Sequence, residues 1–329
     1  MQIKKLIALI NRARARYVIL LCHHNSDPDA IGSAYAFSQL LHQLRPEIHV
    51  EIAAAQGPSK LSKHILRTLP IRLIATPYIE KADVLVLLDT NTTQQLADWQ
   101  ERVERSGKPI VVIDHHATHP ETKRIADLCI ADETASSTCE IVYSLFQESR
   151  VKLSKREALA LFLGIAYDTK HFTIATSKTF KVIADLVETG IKAEEALALL
   201  SMPMETSERI ARLKAARRLD LIKIGDWLIG TSNVSAYQAS AARALLMLGI
   251  HVAIVGGEEG GKIRMSLRAS RIFYDNTGIH LGKDIANPLG EYVHGMGGGH
   301  ATSAGVNGEG DLELAFKKAV RILSGKLKK

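Results

Sequence analysis

The chain has 329 residues, of which 46% are hydrophobic and 23% charged, a composition typical of a globular protein with two domains. Its apolar runs are far shorter than the ~20 residues that a membrane-spanning helix needs. Three cysteines without a CxxC pair exclude a disulfide framework or a thiolate zinc site, so we expect a cytoplasmic protein with reduced thiols. A formal net charge of +7 favours polyanionic ligands only mildly, because a basic solvated surface is also common.

A strand-to-helix turn at residues 23–33 follows the first predicted strand, 17–22. In an α/β protein such a turn lies at the carboxyl end of the sheet, where these folds bind ligands. One imidazole and two carboxylates suit Mn²⁺ or Mg²⁺, and a glycine and a serine at the helix start allow an anion to approach closely. A simple N-capping turn is the alternative. The residues concerned are His23, Asp27, Asp29, Gly32 and Ser33.

Further predicted strands at 48–55, 82–88 and 109–113 are continuous apolar runs that alternate with helices. This pattern predicts a parallel sheet with helices on both faces. Together with the first turn, three strands deliver Asp or His side chains to one edge of the sheet, which favours a shared site over structural coincidence. The later two strands end in Asp89 and in the triplet Asp114, His115 and His116.

Helical patterns fill the middle of the chain. Residues 134–148 begin with a run of hydroxyl side chains that indicates a capped helix start. The mostly apolar helix predicted at 154–167 is followed by Asp168, and an acid at the end of a buried helix costs stability unless it is paired or binds a cation. The pattern from 179 to 219 is helical except for a break at Pro203. We assign 1–190 to a first domain, 191–218 to a helical connector and 219–329 to a smaller α/β domain.

In the last segment we expect one helix and several strands, at 236–248 for the helix and at 220–224, 227–232, 251–256 and 262–268 for the strands. Arg264 and Arg268 share one face of the last strand, as an anion clamp requires, although such arginines are usually only solvated. A glycine-rich loop at 295–305 could cradle a phosphate with its backbone N–H groups, and a flexible turn is the alternative. Its candidate contacts are Gly298, Gly299 and His300.

In the order of these motifs the sequence resembles the DHH phosphoesterase superfamily, subfamily 1, with its C-terminal DHHA1 domain, over nearly the whole chain. The two-domain layout is similar to the stand-alone branch that degrades nanoRNA or dephosphorylates pAp (3′-phosphoadenosine 5′-phosphate). The matching motifs are His23-x3-Asp27-x-Asp29-x2-Gly32-Ser33, Asp89, Asp114-His115-His116, Asp168-Thr169 and the DHHA1 signature Gly297-Gly298-Gly299-His300.

The resemblance implies a site for two Mn²⁺ ions, with Mg²⁺ or Co²⁺ as substitutes. It implies that Asp114 orients a histidine and that His116 contacts the scissile phosphate or the leaving oxygen. Arg268 and His300 would hold the other end of the substrate, with Ser33, Arg264, Gly298 and Gly299 as further candidate contacts. One ion would be bound by His23, Asp27 and Asp89, and the other by Asp29, Asp89, His115 and Asp168.

We therefore expect a metal-dependent phosphodiesterase that hydrolyses short RNA to mononucleotides and also dephosphorylates pAp. Within the same class, the alternatives are a cyclic di-AMP or pApA phosphodiesterase and a RecJ-type single-strand DNA exonuclease. A catalytically silent protein that senses nucleotides or takes part in replication is the alternative from a different class. The expected partners are short RNA or small nucleotides and no membrane. A homodimer through the N-terminal helix is an expectation that core burial of that helix would explain equally well.

Overall fold

The computed structural model describes residues 1–202 and 204–327, and the chain divides into two compact units, Met1–Met202 and Pro203–Lys329. The segment predicted as a connector contributes one helix to each unit, α9 (Ala193–Leu199) and α10 (Thr206–Arg217). Pro203, where the sequence predicts a break, lies outside the described residues. Within the described ranges, the helices are too short or too polar to cross a bilayer.

The first unit, which is described in full, is built on a parallel sheet of six strands in the order β3-β2-β1-β4-β5-β6. The central strands β1, β4 and β5 are almost wholly buried apolar runs, as expected when helices cover both faces. The predicted α/β fold with a parallel sheet is confirmed. The strands are β1 Tyr17–Cys22, β2 His49–Ala54, β3 Leu73–Ile74, β4 Val84–Leu88, β5 Ile110–Asp114 and β6 Leu128–Ala131.

Helices on both faces of this sheet enclose two apolar cores. The larger core lies under α1, α2, α6 and α7, and the smaller lies under the short helical segments at 79–81, 93–99 and 100–104. The remaining helices of the unit are short or peripheral. The helices are α1 Gln2–Arg12, α2 Pro28–Leu44, α3 Lys60–Ile65, α4 Gln100–Glu104, α5 Pro120–Ile125, α6 Thr138–Ser149, α7 Lys155–Asp168 and α8 Ser177–Glu188, in addition to α9.

Helices α2 and α7 cross in very close contact because a glycine stands on each of them. A Cβ atom on Gly32 would lie 2.5 Å from the Ala160 carbonyl oxygen. One on Gly164 would lie 2.3 Å from Cys139 Sγ and 2.8 Å from Asp29 Oδ1. Real side chains cannot occupy these positions, so the two glycines allow the approach that brings α7 against the start of α2.

The second unit is a mixed sheet of six strands in its described residues, in the order β11-β12-β10-β9-β8-β7. Neighbouring strands run antiparallel except β8 and β9, which are parallel. Helices α10 and α11 border one apolar cluster, and a π-helical turn at Leu281–Ala286 joins α12, α13 and α14 around another. The elements are β7 Asp220–Ile224, β8 Trp227–Asn233, α11 Gln238–Met247, β9 Val252–Glu259, β10 Lys262–Ala269, α12 Arg271–Thr277, α13 Asn287–Tyr292, β11 Met296–Gly299, β12 Ser303–Glu309 and α14 Leu312–Leu327.

The glycine-rich stretch begins as the edge strand β11, so the expectation of a loop there was wrong in part. Its glycines are needed for packing, because a Cβ on Gly297 would lie 1.7 Å from the Ala286 carbonyl oxygen. A Cβ on Gly295 would lie 2.1 Å from the Asn307 carbonyl oxygen. Only the residues between β11 and β12, at 300–302, form a connecting turn.

Candidate metal centre

Three strands of the first unit end level with one another, and each is followed or ended by a candidate ligand. The parallel register pairs Cys22 with Leu88 and Leu88 with Ile113. The next residue in each strand is His23, Asp89 or Asp114, so these side chains come to one edge of the sheet. The placement follows from the parallel register alone.

The start of α2 brings Asp27 and Asp29 to the same edge. Asp27 caps the helix, because its Oδ1 accepts hydrogen bonds from the backbone N–H groups of Asp29 at 3.0 Å and Ala30 at 3.1 Å. Asp29 is fully buried, and its two oxygens accept from the backbone N–H groups of Thr138 at 2.7 Å and Cys139 at 2.9 Å. These donors belong to the N-terminus of α6, where a carboxylate is favoured by the helix dipole.

Asp89 lies at the centre of the cluster. It has a φ of 53°, a conformation that L residues seldom adopt and that is concentrated at functional sites. Its Oδ2 is 3.6 Å from His23 Nε2, and its Oδ1 is 3.7 Å from both His115 Nε2 and His116 Nδ1. The hydroxyl of Thr138 donates to Oδ1 at 3.0 Å. Asp89 therefore faces imidazoles from two different strand ends.

Asp168, the last residue of α7, completes the group. Its Oδ2 is 3.1 Å from His115 Nε2, but the geometry of this contact is not that of a hydrogen bond. Among the described residues, this buried imidazole nitrogen has no hydrogen-bond partner. A buried polar atom without a partner is costly, and here it is aimed at carboxylate oxygens of Asp89 and Asp168, as a shared cation would require.

The donor atoms fit a divalent cation of the Mn²⁺ or Mg²⁺ type. His23 Nδ1 lies 2.8 Å from the His24 carbonyl oxygen, so Nδ1 carries the proton and Nε2 is left as a ligand atom, the usual support of a metal-bound histidine. Carboxylate oxygens form the majority of the donors, which suits hard cations. Three sets have ligand atoms within 4.8 Å of one another: His23, Asp27 and Asp89; Asp29, His115 and Asp168; and Asp89, Asp114, His115 and His116.

Without a bound cation, burial and nearby charges move the pKa values of the cluster away from their usual values. Burial lowers the pKa of His23, but Asp27 and Asp89 outweigh burial and raise it to about 10. Burial raises the pKa of Asp29 well above its usual value, and the charges of Asp89 and Asp168 raise it further. Burial likewise raises the pKa of Asp168. A divalent cation would favour the charged carboxylates and neutral imidazoles that bind it.

His116 differs from the other histidines because its side chain is 53% exposed. Its backbone N–H donates to Asp114 Oδ1 at 2.7 Å, and its Nδ1 lies 2.9 Å from the same oxygen. The hydrogen bond to Asp114 raises the pKa of His116 to about 9. The fully buried Asp114 thus orients His116 and accepts its Nδ1–H, so that the protonated ring can offer Nε2–H as a donor.

In the second unit, Arg268 and His300 lie at the same end of the sheet, since Arg268 pairs with Ser303 and the His300 N–H donates to the Ser303 carbonyl oxygen at 2.7 Å. Arg268 is half-buried and donates to the carbonyl oxygens of Leu267 and Ala304, and His300 is exposed. Arg264, four residues earlier on β10, lines a cavity of about 820 Å³ instead. Gly298 is half-buried and Gly299 is exposed in β11.

Ser33 does not reach the cluster. It is fully buried, and its hydroxyl donates to the Ala30 carbonyl oxygen at 3.1 Å, so its side chain is not available to a substrate. Sequence reasoning missed Thr138 and Cys139, whose backbone N–H groups hold Asp29. The signal was present in the hydroxyl run at 134–138, which marks the helix start that supplies these donors.

Residues 17–165, which form the sheet and most of its edge of Asp and His side chains, match the model of the DHH family, N-terminal domain. The chain belongs to the DHH family, as the sequence motifs predict. The uncharacterized protein MJ0988 of Methanocaldococcus jannaschii is 34% identical over 310 residues, 92% of this chain and 91% of that protein.

The chain is also similar to a curated bacterial enzyme and to a solved structure. The bifunctional oligoribonuclease and PAP phosphatase NrnA of Bacillus subtilis is 26% identical over 234 residues, 70% of this chain and 66% of NrnA. The crystal structure of an exopolyphosphatase-related protein from Bacteroides fragilis covers 100% of this chain, and this chain covers 98% of it, with a TM-score of 0.66 at 21% identity. The structural likeness establishes the fold.

Proposed function

We propose that this protein is a manganese-dependent phosphohydrolase that cleaves short RNA oligonucleotides to mononucleotides and also removes a phosphate from pAp. The observation that carries the proposal is the position of Asp89, whose Oδ2 faces His23 and whose Oδ1 faces His115. One carboxylate between two sets of donors is the arrangement that a pair of cations requires. The similarity to NrnA supports this substrate class.

Two cations that share Asp89 would supply a water of lowered pKa and would stabilise the attacking and leaving oxygens of an in-line displacement. Their proposed ligands agree with sets of donor atoms that lie close together in the structure. Asp29, held by two backbone N–H groups, would keep its carboxylate fixed. The proposed ligands are His23, Asp27 and Asp89 for one ion, and Asp29, Asp89, His115 and Asp168 for the other.

His116 would act as the proton donor to the leaving oxygen. Its Nδ1 is held by Asp114, and this hydrogen bond, the largest cause, raises the pKa of His116 to about 9 in the metal-free fold, which favours the protonated ring. The exposed Nε2–H can then donate to an oxygen of the bound phosphate ester, and the proton passes to that oxygen as the P–O bond breaks. Asp114 is the positioning residue, because it stabilises the protonated ring and sets its orientation.

In the second unit, we propose that Arg268 and His300 bind a further phosphate of the substrate. They lie at one end of the same pair of strands, and the guanidinium of Arg268 is partly fixed by backbone carbonyl oxygens. A guanidinium and an imidazole suit phosphate oxygens. A phosphate contact by Arg264 is less well supported, because Arg264 lines a separate cavity.

The first test is turnover on a panel, with Mn²⁺ or with EDTA: 5′-labelled RNA from dimers to ~20-mers, matching DNA, pAp, cyclic di-AMP and pyrophosphate. Fast Mn²⁺-dependent conversion of the shortest RNAs to mononucleotides is the expected result. Preferred hydrolysis of cyclic di-AMP, DNA or pyrophosphate would contradict the proposal that short RNA is the substrate. No turnover of any substrate with metal bound would favour a nucleotide-sensing role. Asp98→Asn, an exposed acid away from the cluster, is the matched control for ligand variants.

A further inference from the structure

Lys170, His171 and Phe172 form a left-handed turn directly after Asp168 and Thr169. Their φ angles are 51°, 55° and 67°. L residues rarely adopt this region because Cβ comes too close to the following carbonyl oxygen, and glycine normally occupies it. Three such residues in succession, none of them glycine, form a strained segment. Strain of this kind persists where the surrounding structure enforces it, and it is concentrated at functional sites.

Hydrogen bonds hold the turn against the end of α7. The buried hydroxyl of Thr169 donates to the Ile165 carbonyl oxygen at 2.6 Å and accepts from the backbone N–H of Phe172 at 3.2 Å. The backbone N–H of His171 donates to the Ala166 carbonyl oxygen at 2.7 Å. The turn is therefore anchored to the helix that ends in Asp168.

Side-chain packing fixes one side of the turn and leaves the other exposed. The ring of Phe172 packs edge-on against Phe162, with centroids 5.5 Å apart, and lies 6.3 Å from Phe180. Lys170 and His171 are exposed, and across the described ranges neither side chain makes a hydrogen bond or an ion pair. The strained backbone thus presents an ammonium group and an imidazole that make no hydrogen bond or ion pair with the described residues.

These two residues lie two and three positions after the proposed ligand Asp168 in the chain. Two residues span at most ~7 Å of chain, so the Cα atoms of Lys170 and Asp168 are no farther apart than that. The ammonium group of Lys170, at the end of a flexible stem, can reach an anion bound next to Asp168. An ammonium and an imidazole N–H are donors for phosphate oxygens, and their charge complements an anion that the acidic cluster itself would repel.

We propose that Lys170 and His171 form an anion subsite for the phosphate that follows the scissile one, so that nucleotides with a second phosphate bind better than those with one. The inference rests on the proposed function and deepens it, because it names a feature of the preferred substrate. The subsite would explain why residues other than glycine occupy these left-handed positions, although glycine would adopt them with less strain.

The test compares the Mn²⁺-loaded protein with a variant that carries Lys170→Asn and His171→Asn. Asparagine tolerates the left-handed region, so the turn is kept while both donors are removed. Calorimetry with AMP and with a pAp analogue, whose 3′-phosphate is replaced by a phosphonate that cannot be cleaved off, measures the preference for a second phosphate on the same ribose. We expect this preference to fall ~10-fold, the scale of one charge-assisted hydrogen bond, and Lys170→Arg to retain it. Lys181→Gln, an exposed lysine on α8, should leave it unchanged.

A preference that stays the same in the double variant would overturn the subsite and leave the turn a structural feature. An equal weakening of both nucleotides would also overturn it, since the turn would then act only by supporting Asp168. If the wild-type protein hydrolyses nothing on the turnover panel but the binding preference depends on Lys170 and His171, the proposed hydrolysis fails and the subsite stands. If the wild-type protein hydrolyses short RNA but shows no preference for a second phosphate in binding, the subsite fails and the proposed hydrolysis stands.

Discussion

The hydroxyl of Thr138 donates a hydrogen bond of 3.0 Å to Asp89 Oδ1. The backbone N–H of the same threonine donates to Asp29 Oδ2 at 2.7 Å. Both acids and the threonine are buried; Asp89 follows β4, whereas Asp29 lies in the first turn of α2. One residue at the N-terminus of α6 therefore fixes Asp29, a proposed ligand of one cation, and Asp89, the proposed ligand of both.

Replacing Thr138 by valine should weaken metal binding without removing a ligand. The backbone donor to Asp29 remains, but the Asp89 carboxylate loses its hydrogen bond, and loss of such a supporting contact typically costs ~10–100-fold in metal affinity. Mn²⁺ titration of the purified variant measures this. Thr138→Ser retains the hydroxyl and should restore most of the affinity; an unchanged affinity in Thr138→Val would show that Asp89 needs no support from α6.

Replacing Asp89 by asparagine should abolish turnover of every substrate, with a loss of at least ~10³-fold, the scale seen when groups that act as one unit are disrupted. The reason is that both proposed cations share this carboxylate. Mn²⁺ stoichiometry, measured by equilibrium dialysis, should also fall. The Asp98→Asn control should retain both properties. Substantial activity in Asp89→Asn would contradict the bridging role.

Replacing Gly164 by alanine should destabilise the first unit and disturb the metal centre together. The new methyl group would meet Cys139 Sγ and Asp29 Oδ1, and overpacking of this kind costs about 1–3 kcal/mol. Gly325→Ala is the matched control, since this exposed helical glycine has open space around it and its replacement should stabilise α14 by ~0.5–1 kcal/mol. Chemical denaturation gives both free energies of unfolding, and a neutral Gly164→Ala would refute the tight crossing of α2 and α7.

The pKa of His23 predicts how metal binding depends on pH. Its value of about 10 in the metal-free fold exceeds the ~6.5 of an unfolded chain, so its contribution to stability is complete below ~6.5 and is lost as pH rises to about 10. A cation must displace this proton, so Mn²⁺ affinity should rise over the same range and binding near neutral pH should release protons. Calorimetry in two buffers of different ionisation enthalpy counts them. His23→Gln should reduce the count and His49→Gln, at an exposed site, should not.

Replacing Arg268 by alanine should impair a dinucleotide such as pApA, whose other end we propose that Arg268 binds, more than bis-p-nitrophenyl phosphate, which has only the scissile phosphate. The expected loss for pApA is ~10-fold in kcat/KM, from one charge-assisted contact. Arg264→Ala, on the same face of β10 but in a separate cavity, is the control. Equal losses on both substrates would remove the proposed role of Arg268.

The group of side chains at the sheet edge could be predicted from the sequence, because the prediction depends only on short segments of the chain. An apolar strand followed by Asp or His needs only the parallel register to bring His23, Asp89 and Asp114 together, and the observed register does so. The contacts of Thr138 could not be predicted in this way, because they join residues 49 and 109 positions apart. The glycines at 295–299 were ambiguous for a related reason: their role depends on elements distant in sequence, the π-helical turn for Gly297 and β12 for Gly295.

Short elements were also beyond the sequence patterns. β3 has two residues and β6 four, too few to show a period, although both extend the sheet. The burial of Ser33 was not visible either, because a serine in the first turns of a helix can face an anion or the core. In the structure the serine is fully buried, and its hydroxyl donates to the Ala30 carbonyl oxygen.

The last of the proposed ligands in chain order is Asp168, on the helix that packs against the start of α2. During synthesis the first five strands emerge with their acids long before α7 is made, and domains form as units from the N-terminal side. Until α7 arrives, the first turns of α2 and the carboxylate of Asp29 lack the helix that covers them. If these residues bind the proposed cations, metal loading must wait until α7 has been made, and a ribosome stalled before residue 168 would hold a sheet whose proposed ligand set is incomplete.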